Sequence, residues 1–560
     1  MSSLISLTPT IKNFDQYLSE LNTGLIQIPE FQRDFVWDLE NVINLLESIQ
    51  KNYPIGSFLF WKPDLNFKIS KHIGPYILKE NVLAKFESIN TMYILDGYQR
   101  MSCLYGCLMN PSKISNFEVN KTLFDRTFNI FYDLKCEEFI SLKNKEKQKE
   151  TYIIPVNIFL DYEEFLTYSE LINSTEEEEE AKIYINRLKR IITTFDRYRM
   201  PVIEISGGTL DEAIDIFTLL NKEGKPITPD WILSAKTYSD DFRMGDKIDE
   251  VLSKIELYNF IDKKPKELAV RELIFRSIQS SFGDLYLDNK KTDIIQLSRK
   301  SNFKEIVLNT CQSVELATKF LFEKLGVVDN KLLPANMQFI FLVEFFNNVK
   351  VPTKNQEEKL ISWFWLTSYS NYFTIFNPSK RKEAFKVFKE FIFNESLDPL
   401  FKDKIEKFYV PELSEKINLQ GVRSKTFLLF LMNYSNYYKL LKPEYTNGYL
   451  VSKLFFEGFK SDISKTYGES CNIVSFYLTE ENLELVKLMK HNKKSDFSFL
   501  LNSEYQGKFK ELFITDEMRE LYLNNEIDQI LEIRLRLIAN EERSFVLNLN
   551  LDYSSNIYLF

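Results

Sequence analysis

Histidine is the scarcest residue in this chain of 560: there are two, His72 and His491. A zinc site built on paired histidines, an HExxH protease or a nuclease with a histidine general base has almost no material here. A Ser-His-Asp triad has to recruit one of these two. Glycine and proline are sparse as well, 16 and 17 residues, where an average chain carries about 7% and 5%. Only Gly207 and Gly208 stand within two positions of each other. The chain therefore holds no GxGxxG, no GxSxG and no GxxxxGK[ST]. That excludes the dinucleotide fingerprint, the nucleophile elbow and the Walker-type P-loop. The cysteines (Cys103, Cys107, Cys136, Cys311 and Cys471) are odd in number and form no CxxC, which suits reduced thiols. No stretch approaches the roughly 18 uninterrupted apolar residues of a membrane span. Residues 1–14 lack the basic-then-apolar order of a signal peptide. The expected location is the cytoplasm, with no membrane partner.

What the chain does have is aromatic mass, 48 Phe, 29 Tyr and 5 Trp. Together with few turn residues this describes a folded, helix-rich protein long enough for three or four domains. Lys and Arg number 71 against 80 Asp and Glu, a net charge of −9. An acidic chain is a poor coat for nucleic acid, although a local basic groove is compatible with it.

Residues 1–244 read as a mixed α/β domain. Strand-like runs recur at 25–28, 57–61, 92–95, 128–132 and 202–205, with helical spacing between them. Asp38 is placed to cap a helix carrying Leu39, Val42, Ile43, Leu46 and Ile49. A second helical pattern covers 209–221. From 245 onward the pattern is almost wholly helical, with stretches at 266–282, 302–325, 336–349, 356–373 and 380–394 and a further group from 424 to 541. Soft boundaries fall near 245 and 405, giving a helical extension over 245–404 and a mainly helical domain over 405–560. The acidic run Glu176–Glu180 reads as a solvated helix start capped by Ser174 or Thr175.

Three constellations are candidates for chemistry. In the first, Ile28-Pro29-Glu30-Phe31-Gln32-Arg33-Asp34-Phe35-Val36-Trp37, a strand leads into the helix capped at Asp38. Arg33 offers a forked cation suited to phosphate, Gln32 offers a donor and an acceptor, and Phe31, Phe35 and Trp37 are suited to wall a base pocket. Core aromatics and a surface ion pair explain the same residues. In the second, Tyr93-Ile94-Leu95-Asp96-Gly97-Tyr98-Gln99-Arg100, a strand ends in an acid, a glycine turns the chain, and a helix begins. Asp96 is placed for a metal or a water, Gln99 for orienting that water, and Arg100 for phosphoryl charge, beside the N–H groups of a helix start. An ordinary Asp-Gly turn is the alternative. The third is the helix end at Asn221, with Lys222, Gly224 and Lys225; a solvated loop accounts for its lysines equally well.

Four segments occur together and in order: 28–37, Tyr53-Pro54-Ile55-Gly56, Leu95-Asp96-Gly97-Tyr98-Gln99-Arg100, and Phe217…Asn221…Gly224. In this the chain resembles the N-terminal domain of GmrSD-type modification-dependent restriction proteins, which SspE-type defence proteins also carry. The resemblance covers about residues 10–240. It extends more loosely to about 395, where Leu333-Pro334 and Ser362-Trp363-Phe364-Trp365 look like family landmarks. It implies a ParB/sulfiredoxin-like α+β fold and a nucleoside triphosphate bound with Mg²⁺, hydrolysed to gate action on modified phage DNA. The family's Asp-Gly-Gln-Gln-Arg motif maps onto Asp96, Gly97, Gln99 and Arg100, with Tyr98 in place of the first glutamine. The earlier Gln-Arg pair maps onto Gln32 and Arg33.

Relatives often end in an HNH-like nuclease. Here Cys471-Asn472-Ile473, Glu480-Glu481-Asn482, Tyr505, Arg534 and Arg536 resemble its framework while the catalytic histidine is missing, so a degenerate domain is expected. The resulting expectation is a nucleotide-dependent prokaryotic defence protein. Its catalytic residues are Asp96, Gln99 and Arg100, with Asp96 on the metal. Gln32, Arg33, Trp37, Gly97, Tyr98, Asn221 and Lys222 bind nucleotide. The alternative is a non-catalytic recognition module that binds nucleic acid or a partner effector protein.

Overall fold

Five strands scattered over two hundred residues build the sheet that carries the Asp96 turn. In the computed structural model they are β1 (Ser6–Asn13), β2 (Ile26–Gln27), β3 (Phe58–Lys62), β6 (Met92–Asp96) and β11 (Arg199–Ser206), ordered β1-β11-β3-β6-β2. The structure describes residues 5–29, 32, 35–63, 69–87, 91–142, 150–208, 212, 216, 242, 244–261, 269–286, 296–297, 300–434, 441–443, 448–456, 468–492 and 495–554. The chain divides into two compact units, Met1–Asp240 and Asp241–Phe560.

The sheet is mixed. β1 runs antiparallel to β11, β11 parallel to β3, β3 antiparallel to β6, and β6 parallel to β2. Phe58, Leu59, Phe60 and Trp61 of β3 are all buried, as expected of a central strand covered on both faces. A register shift between β3 and β6 leaves Asp96 opposite Leu59 at the end of β6. Smaller sheets join β4 (His72–Ile73), β5 (Tyr76–Leu78) and β7 (Phe117–Val119), and β8 (Phe131–Asp133), β9 (Glu138–Ile140) and β10 (Ile153–Pro155).

Helices α1 (Phe14–Thr23), α2 (Leu39–Gln50) and α7 (Glu178–Arg197) each bury one apolar stripe: Phe14, Tyr17, Leu18 and Leu21; Val42, Leu45, Leu46 and Ile49; Tyr184, Leu188, Ile191 and Phe195. Burial of one such side chain contributes roughly 1.5–3 kcal/mol. The expected cap is present: Asn41 N donates to Asp38 Oδ1 at 2.9 Å. Between these lie α3 (Glu80–Glu87), α4 (Tyr98–Leu108), a short α5 (Lys121–Leu123) and α6 (Tyr162–Thr175). α4 is a core helix, buried at every residue except Arg100.

The second unit is mainly helical, from α8 (Met244–Ile255) and α9 (Ala269–Ser280) through α10 (Phe303–Leu325), α11 (Asn336–Asn348), α12 (Lys354–Tyr369), α13 (Tyr372–Ile375) and α14 (Pro378–Phe393) to α15 (Val422–Tyr434). Aromatics dominate its core; Phe341 stacks on Trp363 with centroids 5.7 Å apart. The boundary expected near 405 falls inside this unit. Segments on either side of it share buried polar contacts. Arg423 of α15 makes a two-pronged pair with Glu542, donating at 2.9 and 2.8 Å, and the Tyr369 hydroxyl donates to the same carboxylate at 3.2 Å.

Three local expectations need correction, and one strand carried no signal. The stretch 424–541 contains an antiparallel hairpin, β13 (Tyr449–Lys453) with β14 (Ile473–Tyr477), because its short apolar runs pair as strands. It is followed by α16 (Glu480–His491), α17 (Asp516–Leu523) and α18 (Ile527–Asn548), and β15 (Asp552–Tyr553) pairs with β12 (Tyr409–Val410). The run 128–132 is extended only from Phe131, since Phe124–Phe128 winds as a π-helical turn. Ser174 and Thr175 end α6 rather than cap α7, whose cap position is Glu177 with acids filling the first turn. β1 carried no strand signal, for Pro9 interrupts its pattern; at a sheet edge a proline is tolerated. The helical pattern at 209–221 lies outside the described residues, apart from two helical positions, 212 and 216.

Candidate functional site

The end of β6 and the start of α4 meet at Gly97. Its φ of 92° and ψ of 8° are left-handed, and a Cβ there would collide with the Phe58 ring. Only glycine turns the chain this tightly against that ring without strain. The turn presents Asp96, whose side chain is 32% exposed, beside first-turn N–H groups that no helical carbonyl can serve.

The two Gln-Arg segments lie side by side. Gln32 Nε2 donates to the carbonyls of Ile94 and Leu95 at 2.9 and 2.7 Å, and Val36 N donates to Gln99 Oε1 at 2.9 Å. The glutamines thus stitch the 29–37 segment to the β6–α4 turn. Gln99 is buried and Gln32 half-buried. Tyr98, which replaces the first glutamine of the expected motif, is 5% exposed and belongs to the hydrophobic core. Trp37 is half-buried against that core, and Phe35 packs on Phe128 with centroids 4.9 Å apart. Arg33, Asn221 and Lys222 lie outside the described residues.

Arg100 is already engaged by the chain itself. Its Nη1 donates to Ile55 O at 2.6 Å, and its Nη2 donates to Ser57 O at 2.9 Å and to Asp96 Oδ2 at 3.2 Å. The guanidinium carbon sits 4.7 Å from the centroid of Phe58. Burial pulls its pKa below the ordinary arginine value, and Asp96 pushes back. Gly56 permits the approach: its φ is 85°, and a Cβ there would meet Arg100 Nη1. On its far side the same turn is held by Tyr198, whose hydroxyl donates to Tyr53 O at 2.6 Å and accepts from Ile55 N at 3.2 Å. Nothing in the sequence marked Tyr198, since its partner Tyr53 is 145 residues away and the contact is to main chain.

Asp96 Oδ2 faces Arg100, while Oδ1 carries no hydrogen bond among the described residues. No group of three or more His, Cys, Asp and Glu is arranged to hold a metal ion among the described residues. Mg²⁺ bound mainly through substrate phosphates and water asks the protein for only one or two carboxylates. Asp96 alone fits that demand.

In the tail the expected landmarks serve as ties. Asn472 Nδ2 donates to Phe455 O at 2.8 Å and its Oδ1 accepts from Phe455 N at 2.9 Å. Arg534, buried and lowered to about 10 by that burial, donates to the carbonyls of Cys471, Ile473 and Leu512. Arg536 pairs with Glu532 on the surface. His491 is exposed at the end of α16, with Nδ1 2.7 Å from Lys487 O. No described helix is long and apolar enough to cross a membrane.

Comparison with known proteins adds two findings. Along nearly its whole length the chain is similar to Uncharacterized protein MJ0686 of Methanocaldococcus jannaschii, with 22% identity over 602 aligned positions spanning 96% of this chain and 99% of the relative. Residues 14–238 match the family described as GmrSD restriction endonuclease, N-terminal domain. With the mixed sheet of the first unit in place, that match makes residues 14–238 similar to the GmrSD restriction endonuclease N-terminal domain family.

Proposed function

We propose that the first unit binds a nucleoside triphosphate with Mg²⁺ at the Asp96–Arg100 turn and hydrolyses it, and that the protein works in restriction-type defence by acting on or sensing DNA. The observation that carries this reading is the placing of Asp96: one carboxylate oxygen faces Arg100, the other makes no hydrogen bond among the described residues, and the residue directly precedes the Gly97 cap of α4. A positive helix end favours phosphate oxygens, and the Asp96 carboxylate is placed to hold the metal or the water. In the hydrolytic step the water oxygen bonds to the terminal phosphorus, the bond to the bridging oxygen breaks, and the water proton passes to a phosphate oxygen. Mg²⁺, when bound through Asp96, supplies charge neutralisation on the phosphates. Arg33, Asn221, Lys222, Gln32 and Trp37 are the further residues assigned to the nucleotide.

The second reading, a non-catalytic recognition module working with a separate effector chain, draws on Tyr98 and Gln99. Tyr98 is sealed in the core, and the oxygen of Gln99 that would accept from a water accepts from Val36 N instead.

Phosphate release from each of the four triphosphates with Mg²⁺, with and without DNA, separates the two. Release that Asp96→Asn abolishes, in a variant that still melts cooperatively, is the expected result. No release and no nucleotide-induced rise in melting temperature leaves the recognition module.

A further inference from the structure

The turn between α2 and β3 has little packing of its own. Tyr53, Pro54, Gly56 and Ser57 are exposed, and only Ile55 is half-buried. Its path is set by hydrogen bonds to its main chain from two directions. Tyr198 reaches it from the junction of α7 and β11: the ring is stacked on Phe14, with centroids 5.3 Å apart and planes 13° from parallel. The single hydroxyl bridges Tyr53 O and Ile55 N. From the other direction Arg100 takes Ile55 O and Ser57 O. The nitrogen that reaches Ser57 O is the same Nη2 that reaches Asp96 Oδ2. Since one planar guanidinium serves both, a displacement of the Ser57 carbonyl displaces the donor that orients Asp96.

From this chain of contacts we infer that Tyr198 is a positioning residue of the Asp96 site, acting through the Tyr53–Ser57 turn and Arg100. The inference rests on the reading that Asp96 is the working group. It also gives Arg100 a different part from a phosphate ligand: its donors aim the carboxylate and tie it to the turn. A group held by one hydrogen bond to a shared donor is oriented only as well as that donor is fixed, and misorientation by a fraction of an ångström slows a chemical step without weakening ground-state binding.

The test is Tyr198→Phe in the full-length protein, which removes the hydroxyl and keeps the ring on Phe14. Where the wild type releases phosphate, the variant is expected to lose about tenfold in kcat at unchanged KM, the scale of one or two net hydrogen bonds. Paired with Arg100→Lys, its effect is expected to be less than additive, because both variants loosen the same tie. Hydrogen exchange followed by mass spectrometry gives a readout that needs no activity. Tyr198→Phe is expected to speed exchange in peptides covering 92–101 as well as in those covering 53–57. Faster exchange confined to 53–57, or a kcat equal to wild type, overturns the inference. A wild type that releases no phosphate overturns the nucleotide reading instead, and the exchange pattern then decides the coupling by itself.

Discussion

Gly97 is the residue on which the site turns. Its left-handed φ and the Phe58 ring against its α-carbon both exclude a side chain. Gly97→Ala is expected to cost about 1–3 kcal/mol, the range of a strained backbone position, and to lower the urea midpoint of the first unit by the corresponding amount. A midpoint within error of wild type would show that Phe58 moves aside freely. Single residues were legible from the sequence where their chemistry is local. Asp38 caps α2 because its acceptor serves an N–H three positions on. Arg100 is read from the sequence as a phosphate ligand; besides Asp96 four positions back, its partners in the chain are main-chain carbonyls 43 and 45 positions back, which carry no residue code and could not be seen. Gln32 and Gln99 are singled out in the sequence as members of two Gln-Arg motifs, while the backbone groups they bind, which bring the two together, were not foreseeable.

At the scale of elements, helical spacing located α10, α11, α12 and α14 to within a few residues, since each repeats a long apolar stripe. Short strands fared unevenly. β3 and β6 stand out as dense apolar runs, but β13 and β14 are five residues each and separated by a long connection, so nothing local distinguishes them from helix fragments. The tie between α15 and α18 is likewise long-range. Arg423 and Glu542 are 5% and 3% exposed. Burial works against the Arg423 charge, and Glu542 more than restores it, leaving its pKa above the ordinary value. Removing one partner of such a pair strands the other, at about 3–5 kcal/mol, whereas replacing both by apolar residues is often nearly neutral. Glu542→Gln is therefore expected to lower the melting temperature of the second unit steeply, and Arg423→Met with Glu542→Leu to recover much of the loss. Equal losses in the single and double variants would assign the effect to packing around Tyr369.

At the scale of the whole molecule, the sequence separates a mixed α/β part from a helical part, and the contacts divide the chain at Asp240. Two units with their own cores are expected to melt as two calorimetric transitions. Nucleotide with Mg²⁺ should raise the transition that Gly97→Ala lowers and leave the one that Glu542→Gln lowers unmoved. A ligand shift of the other transition would place the nucleotide elsewhere. One habit of construction recurs in both units. Arg100, Arg187, Arg423 and Arg519 donate to main-chain carbonyls outside the named strands and helices, and Arg534 to Leu512 in such a segment as well as to Ile473 at the start of β14. A carbonyl is offered by every residue type, so such a clamp reads the path of a loop and is indifferent to its side chains. At the Ile55–Ser57 turn the clamp constrains the sequence at one position, Gly56, where a Cβ would meet Arg100 Nη1; the rest of the constraint is borne by the arginine, which lysine, with a single nitrogen, cannot replace.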